Sequence, residues 1–221
     1  MGYKFIVFDF DGTLCDTAID VVLSRNWVYK QFGFKEIDRE VAIKQTYMKE
    51  GEFVKAGLPQ DILADESFVE KMILAYRDRY FNHYMDASFP FEKIPECVGN
   101  LKTNGKALAI LSNKEEWILG PFAQKLFPDI FSFVRGNIIG EITKPDKRLT
   151  YIVLEKIGAD LNELSNCVYV GDSCIDIQTA KNAGIDSIAV TWGYTDEEKL
   201  RECNPTYIVS SPSELYEIIT K

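Results

Sequence analysis

Histidine is nearly missing from this chain, as are paired cysteines, excess positive charge and long apolar runs, and each scarcity removes a class of function. There is one histidine, His83, and five cysteines (Cys15, Cys97, Cys167, Cys174, Cys203) that never fall in a Cys-x-x-Cys spacing. That set makes a poor zinc site. His83, with no partner acid or cysteine evident beside it, is read as structural. An odd number of scattered cysteines fits free thiols in a reducing cytosol. Lys and Arg number 25 against 34 Asp and Glu, a formal charge of −9. Phosphate backbones and anionic membranes demand clustered cations, so neither is an expected partner. An anionic small molecule remains a candidate only where a local site overcomes the global sign. No run approaches the roughly 18 apolar residues of a membrane helix. The first apolar run is broken by Asp9 and Asp11 too early for a signal-peptide core. Met1-Gly2 opens like a myristoylation site, but Ile6 stands where Ser or Thr is required. A cytoplasmic protein is expected.

What is present begins with Tyr3-Lys-Phe-Ile-Val-Phe-Asp9-Phe-Asp11-Gly-Thr-Leu14. The apolar residues read as a strand buried on both faces, as in a parallel sheet. Aspartate is depleted in strands, so two of them at the end of one stand there against propensity. Gly12 lets the backbone turn away at once. Carboxylates so close repel unless a cation or a shared proton relieves them. Taken alone, the same residues also read as a polar turn closing a strand.

From about Thr17 to Met85 apolar residues recur at helical spacing, and Gly33, Gly51 and Gly57-Leu-Pro59 divide the segment into about four helices. Asp65 or Ser67 is the expected cap of the last one. The aromatics here, Trp27, Tyr29 and Phe32 among them, read as the core of a small inserted helical domain. From Ser88 the pattern reverts to alternating strands and helices. Strands are expected at 106–112, 131–134, 167–171, 187–191 and 207–209, and Pro145 is placed in the first turn of a helix. Such alternation predicts an α/β fold, a Rossmann-like parallel sheet with helices on both faces. Ligands of these sheets bind beyond the carboxyl ends of strands, where Asp9, Asp11, Ser112, Asn113 and Asp172 all fall.

Four motifs in order, Asp9-Phe-Asp11-Gly-Thr-Leu14, Ser112-Asn113-Lys114, Lys144-Pro145 and Gly171-Asp172-Ser-Cys-Ile-Asp176, resemble those of the haloacid dehalogenase superfamily. Asp16-Thr17, the Val190-Thr-Trp-Gly-Tyr194 turn and the Leu154-Glu-x-x-Gly158 helix end resemble its phosphoglycolate phosphatase-like branch. The resemblance spans the chain and implies a catalytic core of residues 1–15 and 88–221, with an all-helical cap at 16–87. It departs from the family at Thr143, where Gly is commoner, and at Lys147, where a further Pro is commoner.

The resemblance implies an Mg²⁺-dependent phosphatase. Asp9 would be the nucleophile, forming an aspartyl-phosphate. Asp11 would protonate the leaving oxygen and then activate water. Ser112, Asn113 and Lys144 would hold the phosphoryl oxygens, with Lys144 also offsetting the charge on Asp9. Asp9, Asp11 (through its carbonyl), Asp172 and Asp176 would serve the metal, Asp176 as ligand or behind one. Hard carboxylate oxygens suit Mg²⁺. Dehalogenases lack an acid at the position of Asp11, which favours phosphate chemistry. The implied substrate is a small phosphate monoester such as phosphoglycolate. Pyrophosphate, nucleotide or sugar phosphate hydrolysis and phosphomutase chemistry are alternatives. A non-catalytic binding module would be expected to have lost Asp9, Asp11 or Lys144. The cap is expected to act as a lid, with Lys44, Tyr47, Lys49 and Lys55 as candidates to meet substrate, and the protein to be a monomer or homodimer.

Overall fold

The first strand, Phe5–Phe8, is wholly buried and lies in the middle of a six-stranded sheet. The computed structural model describes residues 2–45, 48 and 50–221. The sheet order is Phe133–Asn137, Ala107–Glu115, Phe5–Phe8, Cys167–Gly171, Asp186–Val190, Tyr207–Val209, and every neighbouring pair is parallel. Phe5 pairs with Ala107 on one side and Cys167 on the other, so the chain order reverses at this strand. A parallel sheet that reverses there leaves a crevice at the carboxyl ends of the two flanking strands.

Both faces of the central strand are covered, as its uninterrupted apolar run requires. Phe5 and Val7 point to one face and pack with Ala109, Leu111 and Tyr169 against Leu149, Val153, Leu154, Ala180 and Ala183 of two helices, Lys147–Lys156 and Cys174–Ala183. Phe8 and Phe10, one residue out of phase, point to the other. There Phe10 meets the Phe122 ring of helix Glu116–Leu126 at 5.4 Å, and Phe8 meets Phe131 at 6.0 Å. The architecture is α/β and Rossmann-like, as the sequence predicts.

By contacts the chain divides into two compact units, Met1–Asp16 with Pro90–Lys221, and Thr17–Phe89. The second unit is helical: Ala18–Gln31, Arg39–Ile43, Glu50–Lys55, Gln60–Leu63 and Glu66–His83. Among the described residues that makes five helices where the glycine punctuation suggests about four; the short helix Gln60–Leu63 follows Pro59 directly. Its core gathers Val28, Tyr29, Phe53, Val54, Leu58, Val69, Met72 and Tyr76. Asp65 caps the last helix by accepting from the Phe68 N–H.

Several expectations are corrected. The strand predicted at 131–134 runs Phe133–Asn137, pairing on to Glu115 past the register break, and the Ser132 N–H donates to the Leu108 carbonyl at 2.8 Å just before it. Pro145 lies before its helix, joined to Lys144 by a cis peptide, and Asp146 takes the capping place by accepting from the Arg148 N–H. Cys174 and Cys203 are disulfide-bonded, with Cα atoms 5.6 Å apart at a sequence separation of 29. The fold brings together the first residue of helix Cys174–Ala183 and the residue closing helix Glu197–Glu202. Cys15, Cys97 and Cys167 are buried free thiols, as expected of them. His83 does have an acid partner, Asp86, 2.6 Å from its Nδ1 on an exposed helix end.

Asp20, in the first turn of helix Ala18–Gln31, is buried and accepts from the Ala87 N–H, the Ser88 N–H at 2.8 Å and the Ser88 hydroxyl at 2.6 Å. It fastens the last residues of the helical unit to its first helix. Replacing it with Ala leaves three donors without their acceptor. We expect Asp20→Ala to destabilise this unit by about 3 kcal/mol, with limited proteolysis opening the 84–90 segment first. Unchanged cleavage there would contradict the fastening role.

Candidate active site

Asp9 continues the sheet one residue beyond its strand, donating its N–H to Val170 at 2.9 Å, and its side chain is buried. The chain then folds over. Leu14 and Cys15 both return their N–H groups to the Phe10 carbonyl, at 3.0 and 3.1 Å, and Gly12 adopts a φ of +77°. A side chain at Gly12 would be strained by that φ and would bring its Cβ within 2.3 Å of Asp172 Oδ2. The turn therefore exists so that the Asp172 carboxylate can approach the backbone.

Asp172 follows strand Cys167–Gly171 and is held from two directions. Thr13 donates its hydroxyl to Oδ1 at 3.1 Å, and the Tyr194 N–H donates to Oδ2 at 2.8 Å. Gly193 packs against it so closely that a Cβ there would lie 2.3 Å from that of Asp172. The Trp192 indole donates to the Thr13 carbonyl at 3.0 Å, and the Tyr194 hydroxyl to Asp16 at 3.0 Å. The Trp192-Gly193-Tyr194 turn thus braces both Asp172 and the first loop.

Lys144 lies at the centre. Its ammonium is 2.8 Å from Asp9 Oδ1 and 2.7 Å from Asp176 Oδ1, and its side chain is only 3% exposed. The contact to Asp9 is an ion pair without hydrogen-bond alignment, since Asp9 Oδ1 has no aligned donor. Asn113 fixes the Lys144 peptide, accepting its N–H at 2.9 Å and donating to its carbonyl at 3.4 Å. The other oxygen of Asp176 accepts from the Ser173 N–H and hydroxyl, a reciprocal cap on helix Cys174–Ala183.

Ser112 and Asn113 sit where strand Ala107–Glu115 loses register with Phe133–Asn137, between Leu111 and Glu115. A bulge re-aims side chains that strict alternation would send to opposite faces. Ser112 is buried, with its Oγ accepting the Lys114 N–H at 3.2 Å. The Lys114 ammonium lies 3.0 Å from Asp11 Oδ1.

Oxygens of Asp9, Asp172 and Asp176 come within 4.8 Å of one another. Three buried carboxylates against one buried ammonium leave excess negative charge in a medium that penalises it. Burial, then the Asp176 charge, pushes the Asp9 carboxyl up to about 7. Burial together with the Asp176 and Asp9 charges pushes Asp172 up to about 8. Burial opposes the Lys144 ammonium, but Asp176 and Asp9 outweigh it and raise its pKa. An all-oxygen donor set, a buried Asp9 Oδ1 without an aligned donor and unrelieved negative charge together fit a hard divalent cation.

The structure thus gathers Asp9, Lys144, Asp172 and Asp176, with Ser112 and Asn113 alongside. Asp11 is the outlier: its carboxylate stands outside the three-acid group and pairs with Lys114. Lys44 and Lys55 are exposed on the helical unit, while Tyr47 and Lys49 lie outside the described residues. Thr13, Lys114 and Trp192–Tyr194 carry contacts that the motifs alone did not assign. All stand inside or beside the quoted motifs, the one signal that could have found them.

Residues 6–190 match the family model of haloacid dehalogenase-like hydrolases, and the chain belongs to that family. It is 31% identical to the phosphoglycolate phosphatase of Neisseria meningitidis over 96% of this chain and 92% of that one. It is equally 31% identical to that of Aquifex aeolicus, over 98% and 96%. A crystal structure from Lactobacillus delbrueckii subsp. bulgaricus, provisionally named a phosphoglycolate phosphatase, superposes with a TM-score of 0.85 at 29% identity, covering 100% of both chains. The chain is a phosphatase of the phosphoglycolate phosphatase-like kind. No described helix is long and apolar enough to cross a membrane.

Two outcomes follow from this geometry. An unfolded aspartate ionises near its ordinary value of 3.8, whereas folded Asp9 and Asp172 keep protons to about 7 and about 8. Between those limits the native state binds more protons, so the stability of metal-free protein falls as pH rises. A divalent cation replaces those protons, so its stabilising effect grows over the same window. Urea midpoints at about pH 5 and about pH 8, with and without Mg²⁺, check this; a metal-free midpoint that rises would contradict it. Gly193→Ala should displace Asp172 and weaken cation binding about 10- to 100-fold, read by calorimetric titration.

Proposed function

We propose that this protein hydrolyses a small phosphate monoester such as phosphoglycolate, with Mg²⁺ as cofactor and Asp9 as the group that accepts the phosphoryl. The observation that carries this reading is Asp9 itself, a buried carboxylate at the sheet's switch point, paired with Lys144 and followed two residues on by a second acid. An Asp9 oxygen attacks phosphorus as the bond to the ester oxygen breaks. Asp11 gives that oxygen its proton, releasing the alcohol. Water, losing a proton to Asp11, then attacks the same phosphorus and frees phosphate from Asp9.

The remaining residues have electrostatic roles, which dominate phosphoryl transfer. Lys144 offsets the charge of Asp9 and of the arriving phosphate. The Ser112 hydroxyl and the Asn113 main-chain N–H hold phosphoryl oxygens, since the Asn113 side chain is engaged with the Lys144 peptide. Asp9, Asp172 and the Asp11 carbonyl would hold the cation, which when bound neutralises charge on the transferring group. Asp176, whose Oδ1 holds the Lys144 ammonium and whose Oδ2 caps its own helix, would serve the cation from behind these ligands. The helical unit is the proposed cap that selects the ester. The small-ester reading is supported by the phosphoglycolate phosphatases of Neisseria meningitidis and Aquifex aeolicus to which the chain is similar.

A phosphate-release screen over small monoesters, pyrophosphate, nucleotides and a phosphopeptide, with and without Mg²⁺, tests the proposal. Phosphoglycolate should lead among them, and a preference for the phosphopeptide would overturn it. Asp9→Asn should abolish turnover. Asp11→Asn should slow it by about 10²- to 10⁴-fold.

A further inference from the structure

We infer that Lys114 is the positioning residue that holds Asp11 for proton exchange with the leaving oxygen. The inference rests on the roles proposed above for Asp9 and Asp11. An exposed ion pair between flexible side chains contributes little and fixes nothing. This pair is different. The Lys114 side chain is 7% exposed although its partner Asp11 is 30% exposed, and its ammonium lies 3.0 Å from Asp11 Oδ1. The same ammonium stands 5.3 Å from the centre of the Phe122 ring, whose quadrupole favours a cation there.

The backbone of Lys114 is fixed as firmly as its side chain. Its N–H donates to Ser112 Oγ at 3.2 Å, and a Cβ on Gly136 of the neighbouring strand would lie 2.7 Å from its carbonyl oxygen. It lies within the register break between Leu111 and Glu115. The lysine is therefore anchored by the sheet and reaches out to a carboxylate on a turn, and the acid takes its orientation from the lysine. In the first half-reaction phosphorus exchanges its ester oxygen for an Asp9 oxygen, and the ester oxygen takes the Asp11 proton. That transfer slows by up to about 100-fold when the acid is misplaced by an ångström. An ester that leaves readily without a proton tolerates the error.

The experiment compares kcat/KM, which reports the first half-reaction, for phosphoglycolate and for nitrophenyl phosphate. Lys114→Met should lower it about 10- to 100-fold for the alkyl ester and no more than about 2-fold for the nitrophenyl ester, with Lys114→Arg recovering most of the loss. In an Asp11→Asn background Lys114→Met should add almost nothing, because its effect passes through Asp11. Competitive inhibition by inorganic phosphate should be unchanged, which also shows that the variant is folded; Lys114→Gln serves if Lys114→Met is not. Equal losses for both esters, or losses that multiply with Asp11→Asn, would overturn the inference and assign Lys114 to phosphate binding or to structure. Turnover retained by Asp9→Asn would instead overturn the proposed function.

Discussion

The structure depends on one buried ammonium. Lys144 lies 2.8 Å from Asp9 and 2.7 Å from Asp176, and without it three carboxylates would face one another out of water. Removing one partner of a buried ion pair leaves an uncompensated charge, which is why such groups are rarely tolerated singly. The fold secures this lysine through its main chain, where the Asn113 side chain accepts its N–H and donates to its carbonyl. Its side chain passes beside the Tyr169 ring, whose hydroxyl is tied to the Leu111 carbonyl. Strands on both sides of Phe5–Phe8 thus converge on the same cation.

The charge that Lys144 leaves unbalanced gives the site its chemistry. Carboxyls pushed up to about 7 and about 8 are in conflict with burial and with each other. A divalent cation would resolve that conflict and let an acidic pocket admit a phosphate. The same logic reconciles a net charge of −9 with an anionic substrate. Attraction for a phosphate would be local, built from Lys144 and a bound cation within a chain of negative net charge.

Close backbone approach is the means by which the acids are placed. Gly12 and Gly193 enclose Asp172, and at each a Cβ would collide with that side chain at 2.3 Å. The register break after Leu111 does for Ser112 and Lys114 what glycine does for Asp172, turning a regular strand into a directed set of donors. Regular sheet supplies rigidity, and its few irregular residues supply aim.

Much was determined by the sequence itself. The apolar run into Asp9 and Asp11 specified a central parallel strand, since only a sheet covered on both faces buries Phe5 to Phe8 together. Strand ends bearing Ser112, Asn113 and Asp172 then marked the crevice, and helical spacing after Thr17 marked the inserted unit. Periodicity carries such information because it is local. Pairings between distant residues are not local, and tertiary structure alone decided them. Nothing in the spacing says that Cys174 meets Cys203, that Tyr194 supports Asp172, or that Lys114 turns toward Asp11. Nor does the sequence show that Asn113 attends to a backbone and not only to a ligand, or that both Asp176 oxygens are already engaged. Those contacts depend on how the strands align and where one strand slips, a property of the whole sheet and of no single segment.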